Sequence, residues 1–116
     1  MTITPSLEDK IFKTFFKNTP LPALIIDPKS AMIIESNKAA NVLYGLNILG
    51  KKLTHIDQIT KKAYLNLRKK LLDKKKLTFQ TKHVTKNKKI IDVECHLSII
   101  HLKGQSFIYS LIRDIT

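Results

Sequence analysis

Cysteine and histidine stand side by side at Cys95-His96, and two carboxylates, Asp92 and Glu94, lie just before them. A thiol beside an imidazole is the raw material of nucleophilic catalysis, and paired carboxylates are that of general acid–base work. Neither chemistry survives placement on a strand. In DVECHLSI, Val93, Cys95, Leu97 and Ile99 alternate with Asp92, Glu94, His96 and Ser98, the period of a β-strand with one buried face. Cys95 and His96 then point to opposite faces and cannot share a proton, so Cys95 reads as a small core residue. Asp92 and Glu94 share the polar face, where solvation or cross-strand ion pairing suits them. His55, His83, His96 and His101 have no metal-site spacing, and Gly45, Gly50 and Gly104 form no phosphate loop. The nine acidic residues include no close pair on an apolar face. The chain reads as a non-enzyme.

At 116 residues it reads as one domain. No apolar run approaches the roughly 20 residues of a membrane-spanning helix, and no secretory signal opens the chain. The expectation is a cytoplasmic domain without membrane contact, which the lone Cys95 fits. The formal net charge is +12, and its surplus lies in the middle: residues 51 to 89 carry fourteen Lys or Arg against Asp57 and Asp73. Nineteen of the twenty-one cations are lysine, whereas base readout and bidentate phosphate clamps favour arginine. The reading is a solvated lysine face, with nucleic acid disfavoured as a partner. The alternative function is a lysine-rich binding module that docks an acidic protein or nucleic acid, for example within a transcriptional regulator.

The elements that must position these groups are mixed α and β. Pro5-Ser6 marks a helix start with Ser6 as N-cap, and Leu7, Ile11, Phe12, Phe15 and Phe16 recur at helical spacing until Asn18-Thr19-Pro20. LPALIID and MIIES read as two strands around the turn Asp27-Pro28-Lys29-Ser30. Asn37 caps a helix through KAANVLY that Gly45 ends. A further helix spans Ile59 to Leu72, with Ile59, Ala63, Leu67 and Leu71 on one stripe beside Tyr64. LTFQTKHV, DVECHLSI and SFIYSLIRDI form an antiparallel meander. The fold class is α+β: a five-stranded antiparallel sheet with short helices inserted between strands two and three, plus an N-terminal amphipathic helix. If Val93, Cys95, Leu97 and Ile99 face inward, so do Ile108, Ser110 and Ile112, leaving Phe107, Tyr109, Leu111 and Arg113 outward.

The order PALIID, IIESNKAANVLYGL, GKKL and a meander ending IRDIT resembles a PAS domain, the sensory module of many bacterial signalling proteins. The resemblance runs from about Asn18 to Thr116, which divides the chain into an N-terminal helix, residues 1–18, and a sensor domain, residues 19–116. Asn37 and Ala40 match the family's strand-to-helix junction, and Asp114-Ile115-Thr116 match its closing motif. Asn87-Lys88 stands where the family usually has a glycine, so a longer or less regular hairpin loop is expected there.

The resemblance implies sensing and relay, with a cavity between the inner sheet face and the short helices that holds haem, flavin or a metabolite in some members. A photoactive flavin would need a cysteine on the central helical segment, and Cys95 is on a strand. The positions that hold the flavin ring match Val93 and Ile112, leaving His83 as the one polar match. Haem-binding members carry an axial histidine on the long helix; Ile59 to Leu72 has none, and His55 just upstream reads as a surface or structural residue. Haem and photoactive flavin are therefore disfavoured, and the expectation is no cofactor or a small apolar metabolite. Leu24, Ile26, Leu43, Leu67, Leu71, Phe79, His83, Val93 and Ile112 would line the pocket. Asp114, Ile115 and Thr116 would relay the signal to a C-terminal effector such as a histidine kinase or diguanylate cyclase. Leu7, Ile11, Phe12, Phe15 and Phe16 with Tyr109 and Leu111 would cover the outer sheet face, in cis or as a homodimer interface.

Overall fold

Helix α1 spans Leu7–Asn18 in the computed structural model, which describes residues 7–116. The expected N-cap, Ser6, lies outside the described residues. Strands β1 (Ala23–Ile26) and β2 (Ile33–Ser36) pair antiparallel. Their connection is held at Asp27, whose carbonyl accepts from the Ala31 N–H at 2.9 Å and whose carboxylate accepts from the Ser30 hydroxyl at 2.7 Å. Asn37 then caps helix α2 (Lys38–Tyr44), its Oδ1 accepting from the Ala40 N–H at 2.9 Å. Gly45, at φ 88°, ends that helix as expected. Two single 3-10 turns, Leu46–Ile48 and Leu53–His55, lead to helix α3 (Lys61–Lys74).

Helix α3 begins two residues later than expected because the Thr60 hydroxyl accepts from the Ala63 N–H at 3.1 Å and so claims the cap. Ala63, expected on the buried stripe, is exposed, and the stripe toward the core is Tyr64, Leu67 and Leu71. Ile59 precedes the helix and still packs on the core.

Strands β3 (Lys76–Val84), β4 (Ile90–Leu102) and β5 (Gln105–Asp114) form the expected meander, and the sheet order is β2-β1-β5-β4-β3. The β4–β5 hairpin turns through Lys103 at φ 51° and Gly104 at φ 77°, two left-handed residues whose twist matches that of the flanking strands. Between β3 and β4 the connection is five residues, 85–89, longer than the two-residue β4–β5 turn but held by regular hydrogen bonds. The Thr85 N–H bonds to the Lys89 carbonyl at 2.9 Å and the Lys88 N–H to the Thr85 carbonyl at 3.0 Å, closing a compact turn with Lys88 itself at φ 64°. A side chain in that region is strained where glycine is not. Lys88→Gly is expected to stabilise the domain by roughly 0.5–1 kcal/mol, read as a raised urea midpoint at unchanged slope.

Alternation sorts the sheet as expected. Cys95 pairs with Ile112, Leu97 with Ser110 and Ile99 with Ile108, and these side chains face α2 and α3 together with Leu24, Ile26, Ile33 and Val93. The opposite face carries Ala23, Ile25, Ile100, Phe107, Tyr109 and Leu111, on which Phe12 and Phe16 of α1 sit. Both phenylalanine rings meet Tyr109 edge-on, at centroid distances of 5.9 and 6.2 Å.

Candidate functional site

Three elements each lend one polar side chain to the interior beneath the sheet. Tyr44 closes α2 on the same helical face as buried Ala40. His83 lies on β3, in alternation with Leu77, Phe79 and Thr81, and therefore points inward. Asp57 comes from the loop before α3, which bridges to β3 at His83. Asp57 and His83 are only 2% and 1% exposed, so each polar atom needs a partner inside the protein.

They partner one another. Tyr44 Oη lies 2.6 Å from His83 Nδ1, and His83 Nε2 lies 3.2 Å from Asp57 Oδ2. Asp57 Oδ1 also accepts from the Thr81 hydroxyl at 2.8 Å and the Ile59 N–H at 3.0 Å. Burial, and after it the charges of Cys95 and Asp57, push the Tyr44 hydroxyl far above the ordinary phenol range, so it stays protonated. The Nε2–H tautomer satisfies all three groups: Nδ1 accepts from the Tyr44 hydroxyl and Nε2–H donates to Asp57. Cys95 Sγ stands 4.0 Å from the same Nε2. Its thiol is pushed up to about 12, first by burial and then by the charge of Asp57, so it is no nucleophile at neutral pH.

Above the network lies a small cavity lined by Ile26, Leu53, Leu67, Leu71, Phe79, Leu97 and Ile108, with Asp57, Tyr64, Arg68, His83, Cys95 and Ser110 as its polar wall. It admits the centre of a water-sized sphere over only ≈ 10 Å³, room for about one water. Tyr64 Oη and Arg68 donate to the Pro28 carbonyl at 2.8 and 3.2 Å, fastening the β1–β2 turn to α3.

At the far end of β5, the Asp114 carboxylate accepts from the Thr116 N–H at 2.9 Å and from the Thr116 hydroxyl. The hydroxyl and then the backbone bond hold the Asp114 carboxyl below its usual range. The Ile115 N–H donates to the Asp92 carbonyl at 2.9 Å, so the closing motif is tied back to the start of β4.

A family model described as "PAS domain" matches residues 20–116. The chain belongs to the PAS domain family. Its structure is similar to the PAS domain of an HTR-like protein from Haloarcula marismortui, at TM-score 0.79 and 18% identity over 93% of this chain and 92% of that one. A PAS domain from a two-component sensor histidine kinase is similar at TM-score 0.73, 19% identity and 93% and 96% coverage. The PAS domain of nitrogen regulation protein NR(II) from Vibrio parahaemolyticus follows at 0.66, 19%, and 95% and 99%. No relative matches among curated proteins. PAS domains are in general sensory, non-catalytic modules. Among the described residues no helix is long and apolar enough to cross a membrane.

In this PAS domain, Ile26, Leu67, Leu71, Phe79 and His83 of the expected pocket residues line the cavity. Leu24, Val93 and Ile112 do not line it; they are buried in the core cluster of the sheet. Leu43 instead lines a separate surface groove with Lys17, Val42 and Arg113. Asp57, Tyr44, Tyr64 and Cys95 are the site residues that sequence reasoning missed. The signals were modest: an aspartate between Ile56 and Ile59, and a tyrosine four residues after Ala40. His55 is exposed. The carboxylates Asp92 and Glu94 pair across strands with Lys82 at 2.6 Å and Arg113 at 2.9 Å. Among the described side chains of α1, Phe12 and Phe16 cover the sheet; Leu7 and Phe15 are 74% and 72% exposed, and Ile11 is exposed with them.

Proposed function

We propose that this PAS domain is the sensory, regulatory module of a multidomain signal-transduction protein, and that it relays its signal through Asp114, Ile115 and Thr116 to an effector such as a histidine kinase or diguanylate cyclase. The observation that carries this reading is the position of β5. It is the central strand, its Ser110 lines the cavity, its Ile112 pairs with Cys95 beside His83, and its last residue is Asp114. A change in the Tyr44–His83–Asp57 network therefore needs only a few residues of one strand to reach the exit. Likeness to the PAS domain of a sensor histidine kinase favours that effector class.

The expected result for Asp114→Ala in the intact protein is loss of signal-dependent output. The domain itself should lose no more than about 1 kcal/mol, since the deleted bonds are exposed. Output that still follows the signal in Asp114→Ala would count against the reading.

The cavity residues as they stand do not fit haem or flavin. Both His83 ring nitrogens are engaged, and space for about one water is far below the several hundred Å³ of a cofactor site. The reading is a domain that works without a cofactor or admits a small apolar metabolite by opening.

The exposed stripe Leu7, Ile11 and Phe15 supports a homodimer through α1, since Tyr109 and Leu111 are already covered in cis. Light scattering at micromolar concentration is expected to give a dimer for the native chain and a monomer for Phe15→Glu. A native monomer would sink the dimer.

A further inference from the structure

Strand β3 is the outermost strand of the sheet beyond β4. Near its end the Val84 N–H donates to the Ile56 carbonyl at 2.8 Å, and the Lys82 carbonyl accepts from the Gln58 N–H at 3.5 Å. Lys82 and Val84 therefore direct their backbone groups away from β4, and the ladder's alternation gives Lys76, Thr78 and Gln80 the same direction. Among the described residues, no strand or isolated bridge pairs with this edge between Lys76 and Thr81. Lys76, Thr78 and Gln80 are exposed. A row of open N–H and C=O groups of this kind is a template for an added strand.

The charges say which strand. Lys74, Lys75 and Lys76 stand together at one end of the edge, and Asp73 is the single nearby acid in the sequence. At the other end Lys82 is held by Asp92 at 2.6 Å. A second copy is a poor partner. Antiparallel self-pairing about Phe79 would set Lys76 of one chain opposite Lys82 of the other, and like charges directly opposed are destabilising. Nucleic acid would answer the lysines but has no strand-spaced N–H and C=O groups for Thr78 and Gln80.

We propose that the free edge of β3 docks an extended acidic segment of a partner protein, added as an antiparallel strand with its carboxylates beside Lys74, Lys75 and Lys76. The lysines that keep the edge from pairing with itself thereby select its partner. This role is independent of the relay through Asp114.

The test is an NMR and amide-exchange titration of the full chain with a synthetic peptide of about nine residues, alternating valine and threonine and ending in glutamates. On saturation the Thr78 and Gln80 amides are expected to exchange at least about tenfold more slowly, and binding should weaken several-fold between about 50 and about 200 mM salt. Gln80→Pro removes an outward N–H without touching the ladder to β4, so it should fold and lose the peptide. Should that variant fail to fold, Lys74→Glu with Lys76→Glu carries the test, expected to weaken the peptide about tenfold and to favour its lysine-ended counterpart. Three results would overturn the proposal: no binding at millimolar peptide, lysine shifts without protection at Thr78 and Gln80, or edge protection that arises from self-association.

Discussion

Asn37→Ala is expected to lower the unfolding midpoint by roughly 10–20 °C, the largest effect of any single polar substitution in the domain. The side chain is 2% exposed and all of its hydrogen-bonding capacity is used. Oδ1 accepts from the Ala23 N–H at 3.0 Å and the Ala40 N–H at 2.9 Å, while Nδ2 donates to the Leu21 carbonyl at 2.9 Å and the Phe16 carbonyl at 3.2 Å. One residue thus joins the end of α1, the connector, β1 and the start of α2. Alanine strands two buried donors at about 1–3 kcal/mol each, for a loss on the order of 3–4 kcal/mol out of the 5–15 typical of a domain. Asn37→Ser should restore about 1 kcal/mol by keeping the helix cap. Asn37→Asp should not, because it turns an anion toward the carbonyls of Phe16 and Leu21. Thermal and urea unfolding of the three variants decide it, and a loss below about 1 kcal/mol in Asn37→Ala would refute the account.

The second large effect is at Asp57. Asp57→Ala leaves His83 Nε2–H, the Ile59 N–H and the Thr81 hydroxyl without their acceptor, and a loss of about 2–4 kcal/mol is expected. Asp57→Asn separates charge from hydrogen bonding. Its carbonyl can still serve Thr81 and Ile59, while its amide presents N–H to His83. The ring answers by carrying its proton on Nδ1, and Tyr44 then accepts where it had donated. Ring ¹⁵N shifts should report the Nε2–H tautomer in the native protein and the Nδ1–H tautomer in Asp57→Asn. An unchanged tautomer would mean that Asp57 does not set the ring's state. The same pair of variants tests the sensory reading, since Asp57→Asn perturbs the network beside β5 with little loss of packing.

Much of the fold was legible because it rests on local rules. The alternation from Val93 to Ile99 follows from the pleat, the α2 cap follows from what an asparagine side chain can reach, and the inward set Ile108, Ser110, Ile112 follows from register. The misses occurred where local rules leave a choice. The apolar stripe put the start of α3 at Ile59, but the Thr60 hydroxyl caps the helix through the Ala63 N–H, so it begins at Lys61. The absence of glycine at Asn87-Lys88 pointed to a longer or less regular loop; the five-residue turn is held by two backbone hydrogen bonds with Lys88 itself in a left-handed conformation.

The site shows the same division more sharply. Sequence by itself determined the family, the sheet, the two-faced character of β5 and the presence of His83 on the inner side of β3. Tertiary structure decided what His83 meets. Tyr44 and Asp57 lie 39 and 26 residues before it in the chain, and nothing in the composition of either neighbourhood marks them as partners. The expected pocket was apolar because an isolated segment reveals only its own periodicity. A buried polar group is different: its cost is met only by a second group brought close by the fold. Which lysines stay solvated and which flank an open strand edge is likewise a matter of sheet order, which places β3 outermost and leaves Thr78 and Gln80 with backbone groups to share.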